Sequence, residues 1–390
     1  MIGLLRKIDL LVIIAALSYI VQMVIIPKSI TIPIVAIIAL YLFIHWYYNT
    51  YRNSFIHILP FIKYFGPFYL WATLSVFWTV NTDYSFALIR AMLAFEFGCF
   101  VATFARTRES MKKVLWGLIL GAIVSAAVVL YNQYMFIGIM RLGCYIYGSA
   151  MEFSGGITVA CYACIILYKV EQKFSYAILF VLCLIINALS GSRTAILYPI
   201  VFLVLVDFLY AQNILKTIRI IVVALVILFA MMIACLNVPT LYNVVGHRIE
   251  AMIFDKTNDG SFMERHEMKK FGIELWTRRP IIGWGIHGFA YKYKFVNKLV
   301  YSHCDYTELL SCFGIVGALL FYYPYAKILF RCSPFAKARL DYWGSFFLAF
   351  LLLNIMATTS SIHFINIKIM MLIALAYNYY LEPEVATIDA

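Results

Sequence analysis

Long apolar runs recur along the whole chain and constrain its fold more than any other feature. Each run is roughly 18 to 24 residues long, the length that a helix needs to cross a bilayer. Hydrophobic residues make up 64% of the chain and charged residues only 13%, with a mean hydropathy of +0.89. A water-soluble fold would leave too much of that apolar surface uncovered, and strand-type alternation is absent. The sequence therefore predicts an all-α integral membrane protein.

The runs predict about twelve transmembrane helices in a single polytopic domain that covers residues 1–390. The first run is long enough to span and lacks a small-residue cleavage site, so we expect no cleaved signal peptide. No internal repeat, linker or second soluble domain is visible. The predicted spans are residues 8–26, 30–48, 58–80, 86–104, 114–137, 153–169, 174–190, 194–211, 218–236, 306–330, 341–359 and 363–381.

Basic residues in the short connections predict the orientation, because Lys and Arg accumulate on the cytoplasmic side. With both termini inside, fifteen basic residues fall on the cytoplasmic side and three on the other. The fifteen are Arg6, Lys7, Arg52, Arg106, Arg108, Lys112, Lys113, Lys169, Lys173, Lys216, Arg219, Lys327, Arg331, Lys337 and Arg339, and the three are Lys28, Arg141 and Arg193. The net charge of +12 then comes largely from basic residues in the cytoplasmic connections. We therefore expect no nucleic-acid partner.

One large polar loop, residues 237–305, lies between predicted spans 9 and 10, and the orientation places it outside the cytoplasm. Ser261 and Glu264 have capping-box spacing and predict a helix that Pro280 ends. Met268, Phe271 and Leu275 give that helix an apolar face. A turn-rich segment follows at residues 280–288. We expect the chemistry at this loop and at the helix ends around it.

Three arginines are candidate anion ligands on the external side. Arg193 lies in a short hairpin at the start of a span, where helix amides and a guanidinium together favour phosphate oxygens. Arg265 lies on the basic face of the loop helix, with Lys269 one turn further on. Arg90 lies about one turn inside its span, where a charge normally faces a polar cavity. Lipid headgroups are the alternative ligand for Arg193, and plain solvation is the alternative interpretation for Arg265.

His303 is the candidate general base, because it directly precedes a span whose N-terminus disfavours the charged imidazolium. Asp305 and Glu308 are close enough in sequence to orient it. The external connections that also hold Arg141, Glu152 and His363 could line the same cavity. An interfacial anchor is the alternative role for His303. No metal-ligand motif and no phosphate loop occurs, so we predict no metal and no cofactor.

Several stretches in one order resemble the O-antigen ligase and Wzy-type polymerase superfamily, a group of membrane glycosyltransferases of the C superfamily. They are Ser190-Gly-Ser-Arg-Thr194, Glu264-Arg265, Trp276 to Gly285, His303 to Glu308 and Gly314-Ile-Val-Gly317. By this resemblance Arg193 and Arg265 bind the lipid diphosphate and His303 activates the acceptor hydroxyl. The chain departs from the family pattern at Cys304, where an Asn often follows the His, and at Met151-Glu152-Phe153, where Asn-Pro-Asn is common.

The resemblance implies a Wzy-type polymerase that joins undecaprenyl-diphosphate-linked repeat units by inverting, metal-independent transfer. It implies a multi-pass protein of the bacterial cytoplasmic (inner) membrane with an external or periplasmic active face. Expected partners are the lipid-linked glycan, membrane lipids and a chain-length regulator. An O-antigen ligase that uses lipid A core as acceptor is the first alternative. A lipid-linked glycan flippase is the second, although transporters usually carry midplane charges and repeat symmetry.

Overall fold

The computed structural model describes residues 10–23, 37, 58–137, 141–210, 214–239, 242–246, 250, 260–293, 300–332, 341–358 and 362–381. Every regular element within these ranges is a helix. The α-helices are α1 Leu10–Ile20, α2 Ile58–Leu74, α3 Ser85–Phe104, α4 Arg108–Asn132, α5 Cys144–Tyr147, α6 Ala150–Glu171, α7 Phe174–Leu189, α8 Arg193–Tyr210, α9 Ile214–Asn237, α10 Gly260–Arg278, α11 Gly288–Lys292, α12 Asp305–Cys332, α13 Tyr342–Ala357 and α14 Ile367–Leu381.

In the part of the chain that the structure describes, five helices are long and apolar enough to cross a membrane, namely α3, α4, α6, α8 and α12. Four shorter apolar helices, α1, α7, α13 and α14, accompany them. The predicted class, an all-helical membrane protein, is therefore confirmed for the described residues. The count of twelve spans stays a prediction. The predicted span at residues 30–48 lies outside the described residues except for Ile37.

Side-chain caps fix where several helices begin. The Thr107 hydroxyl accepts from the Ser110 amide at 3.1 Å and the Ser110 hydroxyl accepts from the Thr107 amide at 2.9 Å, a reciprocal box that starts α4. The Ser149 hydroxyl caps α6 through the Met151 amide at 3.2 Å. Glu152 lies in the first turn of α6, where the helix dipole stabilises a carboxylate.

Helices α6 and α14 form the centre of the bundle. Almost every residue of α14 from Ile367 to Tyr380 is buried, on all faces of the helix. A helix that is apolar all round must pack against neighbours on every side. Both central helices nevertheless carry an ionisable residue near their first turn, Glu152 in α6 and Lys368 in α14. Lys368 has no exposed surface.

Two glycines let α1 and α4 approach closely. Gly117 and Gly121 are four residues apart on α4, and a Cβ on either would lie 2.5 to 2.8 Å from a backbone carbonyl oxygen of Val12 or Ala16. This is the small-xxx-small packing that membrane helices use, because lipid supplies no hydrophobic force between helices. The first helix is thereby held against the bundle, and Tyr19 at its end reaches the centre.

The turn segment at residues 280–285 fills a break in α12. Gly314 has φ 68° and ψ −170° and interrupts the helix. The freed groups bind the turn: the Trp284 amide donates to the Ser311 carbonyl at 2.9 Å, and the Ile315 amide donates to the Pro280 carbonyl at 2.8 Å. Gly283 and Gly314 both have positive φ, and a Cβ on either would collide with the opposite backbone. The turn motif is thus part of the bundle.

The bundle has two chemically different ends. We call the end that holds residues 78–85, 141–152, 190–194, 280–293 and 300–305 the site end, because contacts such as Val80 to Trp284 and Asp305 to Thr358 join these segments. The opposite end holds the start of α4, the end of α6 and the start of α13, joined by an ion pair between Arg108 and Asp341 at 2.8 Å.

Candidate functional site

Arg265 and His303, two predicted site residues, lie close together at the site end. The loop helix α10 packs on α12 through its predicted apolar face, since Met268 and Leu275 are buried. Arg265, on another face of α10, points its Nη2 to the Met151 sulfur at 3.0 Å. Its positive charge also acts on the His303 ring. The structure thus joins residues from α6, α10 and the start of α12.

The imidazole of His303 is neutral in this setting. Burial, and secondly the Arg265 charge, lower the pKa of His303 to about 4. Both effects disfavour the protonated ring. A general base requires a neutral ring. The sequence also predicted a neutral His303, but from its position before a helix N-terminus rather than from burial and Arg265. An anion on Arg265 would cancel part of this effect and make His303 a stronger base.

The backbone around His303 is held firmly. His303 has φ 53°, the left-handed region that is uncommon for a residue with a side chain. The Glu308 carboxylate accepts from the Ser302 amide at 2.8 Å. The Ser302 hydroxyl donates to the Cys304 carbonyl at 2.8 Å. Glu308 therefore supports the loop that carries His303 rather than contacting its ring.

Asp305 contacts a different histidine from the one suggested by the sequence. Its carboxylate is fully buried and accepts from the His363 amide at 3.2 Å. The second carboxylate oxygen lies 3.8 Å from His363 Nδ1. Asp305 thus ties the start of α12 to the connection between α13 and α14. His363 is the partner that sequence neighbourhood did not reveal.

Arg193 is the first residue of α8 and is half-buried. Its neighbours Ser192 and Thr194 line a cavity of about 90 Å³. Met151, which contacts Arg265, and His363 line the same cavity. The Arg193 hairpin therefore lines this cavity, and Arg265 contacts Met151 in its wall.

Arg141 supports the Arg193 hairpin. Its Nε donates to the Ser190 carbonyl at 3.0 Å and its Nη2 donates to the Gly191 carbonyl at 3.3 Å. These carbonyls end α7 and lack helical partners, so a guanidinium satisfies them well. Arg141 therefore positions the turn that precedes Arg193. Lys269 is half-buried on α10, one turn beyond Arg265.

The buried Arg90 forms an ion pair with the partly exposed Glu152, which links α3 to the start of α6. Nothing in the sequence indicated this partner for Arg90. Arg90 also lies near Tyr301, whose hydroxyl is buried and makes no hydrogen bond within the described part of the chain. Burial raises the pKa of Tyr301, so its hydroxyl stays protonated.

His287 and Asn81 complete this side of the site and were not predicted. The Asn81 amide lies 3.0 Å from His287 Nδ1, and the His287 ring lies 5.0 Å from the Tyr301 ring. Burial lowers the pKa of His287. Both residues belong to short turns that the sequence marked as external, but nothing in their spacing indicated a pair. Within the described residues, no group of three His, Cys, Asp or Glu could hold a metal ion.

The central part of the chain matches a known protein family. Residues 178–322 match the family model of O-antigen ligase, Wzy_C. The chain carries an O-antigen ligase domain. This domain runs from α7 into α12 and contains Arg193, Arg265 and His303, so the resemblance seen in the motifs is confirmed. No curated protein matches the chain.

The O-antigen ligase domain indicates a membrane enzyme that transfers glycosyl groups in a polysaccharide-related reaction. Arg90, Arg141 and Glu152 lie before the matched residues, yet they contact the domain or each other at the same end of the bundle. The site is therefore assembled from the domain and from the helices that precede it.

Proposed function

We propose that this chain is a Wzy-type polymerase that joins undecaprenyl-diphosphate-linked oligosaccharide repeat units. The observation that carries the proposal is that the Arg265 charge acts on the half-buried, neutral His303 inside the O-antigen ligase domain. One supplies a planar fork of donors for phosphate oxygens, and the other supplies a base. Together these groups supply leaving-group stabilisation and proton removal, the two contributions that the transfer requires besides positioning.

In this proposal Arg265, Arg193 and Arg90 bind the donor's diphosphate. His303 takes the proton from the acceptor hydroxyl while that oxygen attacks the anomeric carbon. The bond from that carbon to the diphosphate breaks, the lipid diphosphate leaves with both electrons, and the sugar inverts. Because the diphosphate is already a good leaving group, arginine charges that stabilise it can supply most of the acceleration.

The proposal places the site end on the external, periplasmic face of a bacterial cytoplasmic membrane, with residues 237–305 as an external loop. The asymmetry of basic residues supports this orientation. The whole chain then acts as one polytopic domain, with membrane lipids and a chain-length regulator as expected partners. It needs no nucleotide sugar, because the donor is already activated.

The orientation can be tested by labelling single cysteines with a membrane-impermeant thiol reagent in intact cells. Met263→Cys places an exposed thiol on α10, and Lys173→Cys places one at the opposite end. With Cys144 and Cys332 replaced by Ser, the first should react and the second should not. Reaction of Lys173→Cys alone would reverse the proposed active face.

An O-antigen ligase is the second candidate, and the family match itself favours it, because that family is described by this activity. The two functions share donor, site and chemistry and differ only in the acceptor. A ligase would join the glycan to lipid A core rather than to a second lipid-linked repeat.

The deciding experiment supplies purified protein in lipid nanodiscs with undecaprenyl-diphosphate-linked repeat units, with or without lipid A core. A polymerase yields longer lipid-linked glycans from the repeat units alone. A ligase yields glycosylated lipid A core and no lengthening. No transfer to either acceptor, in protein that still binds the donor, would reject both functions.

A further inference from the structure

Lys368 is a buried side-chain amine that the proposed reaction does not use. It lies in the first turn of the central helix α14 and has no exposed surface. Its Nζ contacts the Gln22 side-chain oxygen and lies 4.4 Å from the centre of the Tyr19 ring. Among the described residues, no carboxylate forms an ion pair with it. A charge held by neutral groups within a membrane bundle is costly and therefore points to a function.

The surroundings of Lys368 are built to fit it. Gly156 on α6 leaves room for the lysine stem, since a Cβ there would lie 3.0 Å from Lys368 Cε and 3.0 Å from a Tyr19 ring carbon. The Tyr19 hydroxyl donates to the Gly156 carbonyl at 2.7 Å. Gly156 thus holds both the lysine and the aromatic ring beside it.

Glu152 lies one helical turn from this position. Residues 152 and 156 share a face of α6, with about 5–6 Å between side-chain origins at such spacing. Glu152 is ion-paired with Arg90, and the Arg90 charge is close enough to act on Lys368. Arg90 on α3 therefore pairs with Glu152, and Lys368 on α14 lies beside the same face of α6 one turn further on.

We propose that Lys368 is the second partner of Glu152, which moves from Arg90 to Lys368 when the donor's diphosphate binds Arg90. The inference rests on the proposed function, since it assigns Arg90 to the diphosphate. Lys368 is then a positioning residue that acts through Glu152. Without it, the incoming anion would leave a carboxylate unpaired in a buried site, where an uncompensated charge is strongly unfavourable.

The exchange also explains the charge balance of the site. Before binding, Glu152 neutralises Arg90, and Lys368 has no carboxylate partner among the described residues. After binding, the diphosphate neutralises Arg90 and Glu152 neutralises Lys368. No buried cation or carboxylate of this group is then unpaired, so the site favours the occupied state.

A double-mutant cycle on diphosphate binding tests this exchange. Undecaprenyl diphosphate is titrated into wild type, Lys368→Gln, Glu152→Gln and the double variant in nanodiscs, and thermal unfolding confirms that each is folded. Lys368→Gln should weaken binding about tenfold or more, because Glu152 loses its second partner. Glu152→Gln should bind at least as tightly as wild type, and adding Lys368→Gln to it should change little.

Rescue by Glu152→Gln is the readout that a merely structural lysine would not give. If Lys368→Gln weakens binding equally with and without Glu152, Lys368 contacts the anion itself and the exchange is rejected. If Lys368→Gln binds like wild type, Lys368 has no part in binding. Wild type that binds the diphosphate but transfers no glycan would reject the proposed function and leave the exchange standing.

If Lys368→Gln does not fold, Lys368→Met replaces it in the same cycle, because its unbranched apolar stem suits the space beside Gly156 and Tyr19. The same two outcomes then apply.

Discussion

The two ends of the bundle use their charged residues differently. At the opposite end cations meet carboxylates: Lys169 lies 2.7 Å from Asp207 and Lys173 lies 2.7 Å from Glu171. At the site end the carboxylates of Asp305 and Glu308 accept from backbone amides. Arg90 pairs with Glu152 there, and Lys368 contacts the neutral side chains of Gln22 and Tyr19. Ion pairs hold helix ends together at the opposite end, whereas the site end also gathers Arg90, Arg193, Arg265 and Lys368, cations that suit an anionic ligand.

Burial strengthens this contrast. Lys173 keeps 65% of its side chain exposed, so its ion pair is weak and screened by salt. Arg90 and Lys368 are buried, where the same charge has a much larger effect on a neighbouring anion or imidazole. A substitution of one charged residue at the site end should therefore change activity more than a substitution at the opposite end.

The largest effect is expected for His303→Ala. Removing the base should lower turnover by about 10²–10⁴-fold, the range typical of general-base loss, while donor binding persists. Turnover of lipid-linked glycan and donor affinity are measured on the same preparation. Combined loss of binding and turnover would instead make His303 a substrate ligand. His266→Ala, an exposed histidine on α10, is the matched control and should stay active.

Replacing the arginines by Lys should give the next largest effect. Arg265→Lys or Arg193→Lys keeps the charge but loses the two-pronged guanidinium, so donor turnover should fall about 10- to 100-fold. Arg108→Lys at the opposite end should leave turnover unchanged, since Arg108 pairs only with Asp341 in a partly exposed bridge. Full activity in both site variants would remove these arginines from the diphosphate site.

The pH dependence should show a smaller, specific shift. Protonation inactivates the base, so kcat/KM should stay level down to about pH 5 and fall near the pKa of about 4. Arg265→Gln removes a charge that lowers this pKa, and the acid limb should therefore move to higher pH. Lys270→Gln, an exposed neighbour on α10, should not move it. An unchanged acid limb in Arg265→Gln would show that the Arg265 charge does not affect the pKa of His303.

The smallest effect on activity is expected from the opposite end. Lys169 and Asp207 are 17% and 7% exposed and paired across α6 and α8. Changing both together, to Met and Leu, should leave glycan turnover unchanged. Each single change should lower the thermal unfolding temperature, with a coupling of about 1 kcal/mol between them. Loss of turnover in the double variant would show that the ends are not functionally separate.

Sequence reasoning succeeded where the signal was local. The start at Ser261, the stop at Pro280 and the spacing of Met268 and Leu275 predicted α10 and its buried face, and the helix runs from Gly260 to Arg278. These features act within a few residues, so periodicity and capping rules capture them. The motif order likewise identified the family of residues 178–322.

Contacts between distant segments could not be predicted. Arg90 pairs with Glu152 and Asp305 contacts His363, each across more than fifty residues. No spacing rule connects such positions, because bundle packing decides them. The glycines at 283 and 314 were visible in the sequence, but only the structure shows that one turn fills a break in α12.

Donor binding at the two ends tests the central claim most directly. The affinity of undecaprenyl diphosphate is measured in nanodiscs for wild type, Arg265→Gln at the site end and Arg108→Gln at the opposite end. Loss of a charged ligand at a buried site should weaken binding about tenfold or more in the first variant, and the second should bind like wild type. Equal weakening in both, or wild-type affinity in Arg265→Gln, would contradict a donor site built by the cations of the site end.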